Sequence, residues 1–306
     1  MITGIAYIEM RTRSFNECRE VYGTHLGLTE VQDTSSVLNE KGEWDSAESA
    51  ESVNQQAVLQ VGDSFLILQE DLVAPTQISP KGERIGTYTR EASGSVGHWS
   101  FFVEGNFHAY SHLKDFLAFN RFPGTKDGPS VQPMNHTYLQ RSLLEFADPN
   151  GYIIQLSEIV DPRHDKQDRR REKQKSANLA TGAVIKGFDH INMLCPNIDK
   201  GKEMYGGMFD MPVIDHSDNG IHESYVFVAG LCDIELLATK DGNNGDRLGK
   251  GVVGSLGLWS DDVDALAQKI EHPVPPIERD LALGVPIRSI SLDVGDGLPV
   301  EIAERV

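Results

Sequence analysis

The chain has little cysteine, little positive charge and no long apolar run. Its three cysteines, Cys18, Cys195 and Cys232, are widely spaced, and no C-x-x-C occurs in the 306 residues. A disulfide framework or a cysteine-zinc site is therefore not expected. Each thiol reads as a small buried apolar side chain in a reducing, cytoplasmic protein. No apolar stretch approaches the roughly 20 residues of a membrane helix. The opening Met1-Ile2-Thr3-Gly4-Ile5 lacks a basic segment followed by an apolar one, so no secretion signal is expected. Lys and Arg number 28 against 46 Asp and Glu, giving a net charge of −18. That sign repels phosphate backbones, so nucleic acid is excluded as a broad partner. The one basic stretch, Arg163 to Lys175, interleaves acids with its bases and reads as a solvated helical linker.

What is present is a core and a repeat. Hydrophobic residues make up 39% and charged residues 24%, the balance of a water-soluble protein able to bury a core. Gly4-Ile5-Ala6-Tyr7-Ile8-Glu9-Met10 answers Gly187-Phe188-Asp189-His190-Ile191-Asn192-Met193. In both, a tyrosine (Tyr22, Tyr205) follows at the same distance from Tyr7 and His190. Gly94-Ser95-Val96-Gly97-His98-Trp99-Ser100 answers Gly254-Ser255-Leu256-Gly257-Leu258-Trp259-Ser260 still more closely. The chain thus reads as four units in the order A-B-A′-B′. Each opens with an alternating strand, continues into a helix of about three turns and closes with further strands. The last strands are expected at Ser64–Leu68, Tyr152–Leu156, Cys232–Leu236 and Leu298–Ile302, each preceded by turn residues such as Asp148-Pro149-Asn150-Gly151. The expected organisation is an N-terminal pair of modules in 1–160 (about 3–72 and 94–160), a charged linker at 161–183, and a C-terminal pair in 184–306 (about 186–240 and 252–306).

These segments resemble the vicinal oxygen chelate superfamily, which includes glyoxalase I, extradiol ring-cleaving dioxygenases, methylmalonyl-CoA epimerase and bleomycin-resistance proteins. Phe146-Ala147-Asp148-Pro149-Asn150-Gly151-Tyr152-Ile153-Ile154-Gln155-Leu156 is similar to the superfamily's closing strand, and Gly187 to Met193 to its opening strand. The resemblance implies an α+β fold of four βαβββ modules forming two cupped mixed sheets. In such cups each module offers one residue from its opening strand and one from its closing strand. The opening-strand positions are Tyr7, His98, His190 and Leu258; the closing-strand positions are Ile67, Gln155, Glu235 and Glu301.

That inventory bears on how the modules pair. Divalent ions take imidazole nitrogen and carboxylate or amide oxygen, and apolar side chains offer neither. Sequential pairing splits His98 from His190. Crossed pairing of modules 2 and 3 collects His98, Gln155, His190 and Glu235, and leaves modules 1 and 4 a cup without a metal set. Glu235, between Ile234 and Leu236, reads as a buried charge that needs a cation. Glu301 is expected to be paired or exposed in the other cup.

The expected cofactor is one divalent metal per chain, Fe2+ first, with Mn2+, Ni2+, Co2+ and Zn2+ also accepting these ligands. Two reaction classes share the set. One is Fe(II) extradiol-type dioxygenation of a catechol- or hydroquinone-like aromatic with O2, with Tyr225, His222 and His136 as acid/base candidates. Ring-cleaving relatives carry a tyrosine at the spacing of Tyr225, but the aspartate-proline of their turn is Val228-Ala229 here. The other is a metal-dependent isomerase or lyase acting next to a carbonyl. A third reading is a metal-free ligand-sequestering protein. Trp99, Phe101, Tyr138, Tyr152, Phe188 and Tyr225 are pocket-wall or core candidates, and Trp259 is expected to be structural. Assembly is open, with a homodimer as the working expectation.

Overall fold

The computed structural model describes residues 1–34, 37–38, 44–45, 55–72, 96–105, 118–119, 132–135, 140–150, 152–159, 177–178, 184–240, 253–282, 285–293 and 298–306. His136, Tyr138 and all but Ala177 and Asn178 of the expected 161–183 linker lie outside these residues.

The four opening strands are Ile2–Thr12, Val96–Glu104, Val184–Leu194 and Val253–Ser260, and the four closing strands are Ser64–Glu70, Ile153–Ile159, Cys232–Thr239 and Pro299–Arg305. Each closing strand lies parallel to the opening strand of its own module. A parallel return needs a crossover, and in modules 1, 3 and 4 the intervening helix supplies it. In module 1 it runs from Phe15 to Arg19 and continues as a wider turn through His25, burying Phe15, Cys18, Val21 and Tyr22. In modules 3 and 4 it starts at Ile198 and Val263, with the side chains of Asn197 and Asp262 accepting from the backbone N–H of Lys200 and Ala265. Tight turns with Gly62 at φ +63° and Gly230 at φ +64° precede two closing strands, a conformation that glycine alone adopts without strain.

The modules pair in the crossed manner. In one sheet the opening strand of module 1 runs antiparallel to that of module 4; in the other, module 2 runs antiparallel to module 3. The first two modules along the chain therefore enter different sheets. The two seams match residue for residue. Register shifts fall at Ile2/Gly4, Ile5/Tyr7 and Glu9/Met10 in the first, and at Ile185/Gly187, Phe188/His190 and Asn192/Met193 in the second. The outer faces carry one large apolar cluster that takes in residues of both sheets and the helices, among them Ile8, Met10, Tyr22, Trp99, Phe101, Ile191, Leu236 and Leu266. A buried polar joint crosses it: the Tyr22 hydroxyl donates to Asp148 Oδ2 at 3.1 Å, and Thr12 Oγ1 to Asn150 Oδ1 at 2.7 Å.

The matched seams correct one expectation. Superposing them puts Ser255, not Leu258, opposite Glu9 where His98 stands opposite Asn192. The near-identical repeats at Gly94 and Gly254 are thus threaded three residues out of step. Leu258 faces the apolar core, fully buried, with Phe101 as its counterpart. The partner strand decides this. Gly257 faces Tyr7, and a Cβ on Gly257 would overlap the Tyr7 ring, so no residue with a side chain fits there as placed.

Candidate functional site

In the cup of modules 2 and 3, strand register places Ser100, Gln155, His190 and Asp233 in one row across the sheet. His98, Asn192 and Glu235 make the next row. Four side chains expected at the metal, His98, Gln155, His190 and Glu235, therefore share one face around the seam. Strict alternation would turn His190 to the same face as Phe188, which stacks on Phe101 in the core at 5.5 Å between ring centroids. The extra residue at Asp189 breaks that alternation, a bulge that re-aims the following side chain.

The rings of His98 and His190 meet edge to face, and their Nε2 atoms stand 3.1 Å apart. Two nitrogens bound at about 2.1 Å to one ion, at right angles to each other, are about 3.0 Å apart. The pair is thus already spaced as two neighbouring ligands of one cation. His190 is 7% exposed and His98 is half-buried. His190 Nδ1 lies 2.8 Å from Asp189 Oδ2, and Asp189 has no exposure. Asp189 went unnoticed in the sequence, although a carboxylate directly before a candidate ligand histidine is a usable signal.

Glu235 differs from expectation in its surroundings. Ile234 and Leu236 point into the core, while Glu235 lies on the cup face and is half-buried. It is no stranded buried charge: Asn192 Nδ2 donates to its Oε2 at 3.0 Å. Among the described residues no third His, Cys, Asp or Glu side chain closes on the two imidazoles. Gln155, 5% exposed, sits on the strand flanking His98, in the place that Glu235 holds beside His190. Asn192 has its own support, since its Oδ1 occupies the volume that a Cβ on Gly97 would fill.

The acid/base candidates separate. Tyr225 pairs with Leu236 and so faces the core side, away from Glu235, with its ring stacked on His216 at 4.2 Å and Lys202 over it at 4.9 Å. It does not meet the histidine pair. The ten-residue spacing to Glu235 spans a hairpin whose register puts Val226 opposite Glu235. His222 is on the cup face but at its far rim, paired with Thr239. Of the wall candidates, Trp99, Phe101, Tyr152 and Phe188 are core residues.

The equivalent cup of modules 1 and 4 is filled by its own side chains. Tyr7, Phe65 and Ile67 replace His190, Asp233 and Glu235, and pack with Val58, Trp259, Leu281 and Ile287. Glu301, in the place of Gln155, is 6% exposed and fully engaged. It accepts from the Tyr7 hydroxyl at 2.6 Å, Ser289 Oγ at 2.6 Å, Arg279 Nε at 3.0 Å and a second Arg279 nitrogen. Burial, followed by the Glu301 charge, raises the pKa of Tyr7 well above that of an ordinary phenol, so it remains a donor. A cleft of about 540 Å³ opens beside this cup, lined among others by Thr3, Asp63, Cys232, Trp259, Asp261 and Arg305. It shares no residue with the histidine pair.

No family model and no curated protein matches the chain by sequence. Solved structures match by shape over nearly its whole length. A Bacillus subtilis protein provisionally assigned as a dioxygenase is 17% identical, with a TM-score of 0.63 over 99% of this chain and 85% of its own. Glyoxalase I from Zea mays is 12% identical, with a TM-score of 0.57 over 98% of this chain and 92% of its own. The chain has the glyoxalase-like fold. Among the described residues no helix is long and apolar enough to cross a membrane.

Proposed function

We propose that the chain is a metal-dependent enzyme, and that its reaction is an extradiol-type dioxygenation of a catechol- or hydroquinone-like aromatic with O2. The observation that carries the metal is the 3.1 Å separation of two Nε2 atoms on a polar, largely buried face. His98 and His190 would hold the ion, with Gln155 and Glu235 flanking them on the neighbouring strands. Fe(II) held there would supply adjacent open positions for two substrate oxygens and for O2. The chain's own part is to orient and exclude water: the seam fixes the two imidazoles, and Asn192 holds Glu235 on the cup face. Gln155 carries no charge and so adds no repulsion toward an anionic diol. The dioxygenase assignment of the Bacillus subtilis neighbour agrees with this reading.

One observation favours a second reading. Glu235 is held by Asn192 and does not close on the histidine pair. A carboxylate so placed is suited to moving a proton beside a carbonyl, as an isomerase or lyase requires.

Elemental analysis of protein purified without air or chelator separates the two. About one iron per chain, with O2 uptake on a panel of catechols and hydroquinones, supports the dioxygenase. Nickel, cobalt or zinc with no O2 uptake supports the isomerase. Wild-type protein that takes up no metal on reconstitution refutes both. His98→Ala and His190→Ala should each abolish metal retention, and a variant with full metal content would remove the central claim.

A further inference from the structure

We propose that Asp189 is a positioning residue that sets the tautomer of His190 and, through it, the affinity of the cup for a divalent cation. The proposal rests on reading His98 and His190 as a ligand pair.

Asp189 is the extra residue of the seam bulge, between the pairs Phe188/Phe101 and His190/Ser100. Its carboxylate is removed from solvent and lies 2.8 Å from His190 Nδ1. A carboxylate only accepts, so the hydrogen resides on Nδ1. In the neutral ring the lone pair is then on Nε2, the atom that faces His98 Nε2. The bulge therefore does two things in one residue: it turns the imidazole into the cup, and it presents the nitrogen that binds cations.

The other sheet gives an internal control. The same bulge there carries Ala6, between Ile5 and Tyr7, and a tyrosine needs no tautomer set. His98 has Gly97 before it, in a place where a Cβ would overlap Asn192, so the residue before that ring supplies no carboxylate. Two bulges of this seam precede a histidine, and the carboxylate stands at the one before His190, with Gly97 at the one before His98. A buried acid at a bulge is costly unless its partner matters, and carboxylate-to-histidine contacts of this kind typically change cation affinity 10- to 100-fold.

The test uses the full chain, Co2+ as the probe and the substitution Asp189→Asn. An asparagine amide offers N–H to Nδ1 and so favours the opposite tautomer. Visible-band titration should show Co2+ affinity falling about 10- to 100-fold, with thermal unfolding of the metal-free protein little changed. Histidine ¹⁵N spectra at pH 8 should show wild-type His190 with hydrogen on Nδ1, and the variant with hydrogen on Nε2. Unchanged Co2+ affinity in a folded variant overturns the proposal and leaves the ligand pair standing. A wild-type ring with hydrogen on Nε2 overturns it whether or not the variant folds. Wild-type protein that binds no Co2+ removes the ligand pair itself, and this proposal with it.

Discussion

Tyr7 donates its hydroxyl to Glu301 at 2.6 Å, and together they fill the place that the His190 and Gln155 side chains flank in the other sheet. The fold thus builds the same cup twice. One cup is closed by a phenol, a buried carboxylate and apolar neighbours; the other is left polar. A carboxylate with four donors has no lone pair to offer a cation, which is why Glu301, though more deeply buried than Glu235, is a structural group.

Glu301→Ala is expected to leave metal content unchanged and to destabilise the chain by about 2–4 kcal/mol, because Arg279, Ser289 and Tyr7 lose their acceptor together. Urea unfolding and elemental analysis of the same preparation check both halves. Loss of metal with stability retained would place the cation in the wrong cup.

Leu258→His tests the threading of the seam. By sequence repeat the substitution restores the counterpart of His98. By register it puts an imidazole into the apolar core, opposite Ile5 and two residues along the strand from Leu256. The expected outcome is a loss of about 3–5 kcal/mol with no second metal ion bound. A stable variant that takes up a second ion would show that the repeat, not the register, is right.

The contrast between those two variants shows what was legible in the sequence. The fold was, because opening strands and closing turns recur in each module, and Tyr22 and Tyr205 follow Tyr7 and His190 at the same distance. The crossed pairing was also legible, since only one combination of modules gathered two imidazoles. The three-residue slip was not. Gly94 to Ser100 and Gly254 to Ser260 share glycine, serine and tryptophan at matching places, yet which glycine meets a bulky ring is fixed by the strand across the seam. Tyr225 misled for a related reason: a spacing of ten residues across a hairpin does not say which face a side chain takes. Apolar neighbours misled for Glu235, because Ile234 and Leu236 point to the opposite side of the strand.

Gly97→Ala should act at the site without touching either histidine. A methyl there displaces Asn192 Oδ1 and with it the hydrogen bond that holds Glu235. If Glu235 serves the cation or the substrate, activity should fall at least tenfold while metal retention by the histidine pair changes less. Activity equal to wild type would show that the Asn192 to Glu235 contact is dispensable.

The buried joint between the two sheets should respond to pH. Burial raises the Asp148 pKa from 3.8 to about 6, against the hydrogen bonds from Tyr152, Tyr22 and Asn150, which lower it. In the unfolded chain the carboxyl ionises near its ordinary value. Between these limits the folded chain holds a proton that the unfolded chain has released. The contribution of Asp148 to stability is therefore complete below pH 3.8 and is lost as pH rises through about 6. The full difference is about 3 kcal/mol. Asp148→Asn removes the ionisation and keeps an acceptor for the Asn150 and Tyr152 amides, which now bond Asp148 Oδ1 at 2.9 and 2.8 Å. Urea unfolding of both proteins at intervals from pH 4 to pH 8 isolates the group, since every other carboxylate cancels in the difference. The variant should gain on the wild type steadily as pH rises and level off above about pH 7. A difference that stays constant with pH would mean that Asp148 is already ionised in the folded chain throughout, with its four hydrogen bonds outweighing its burial.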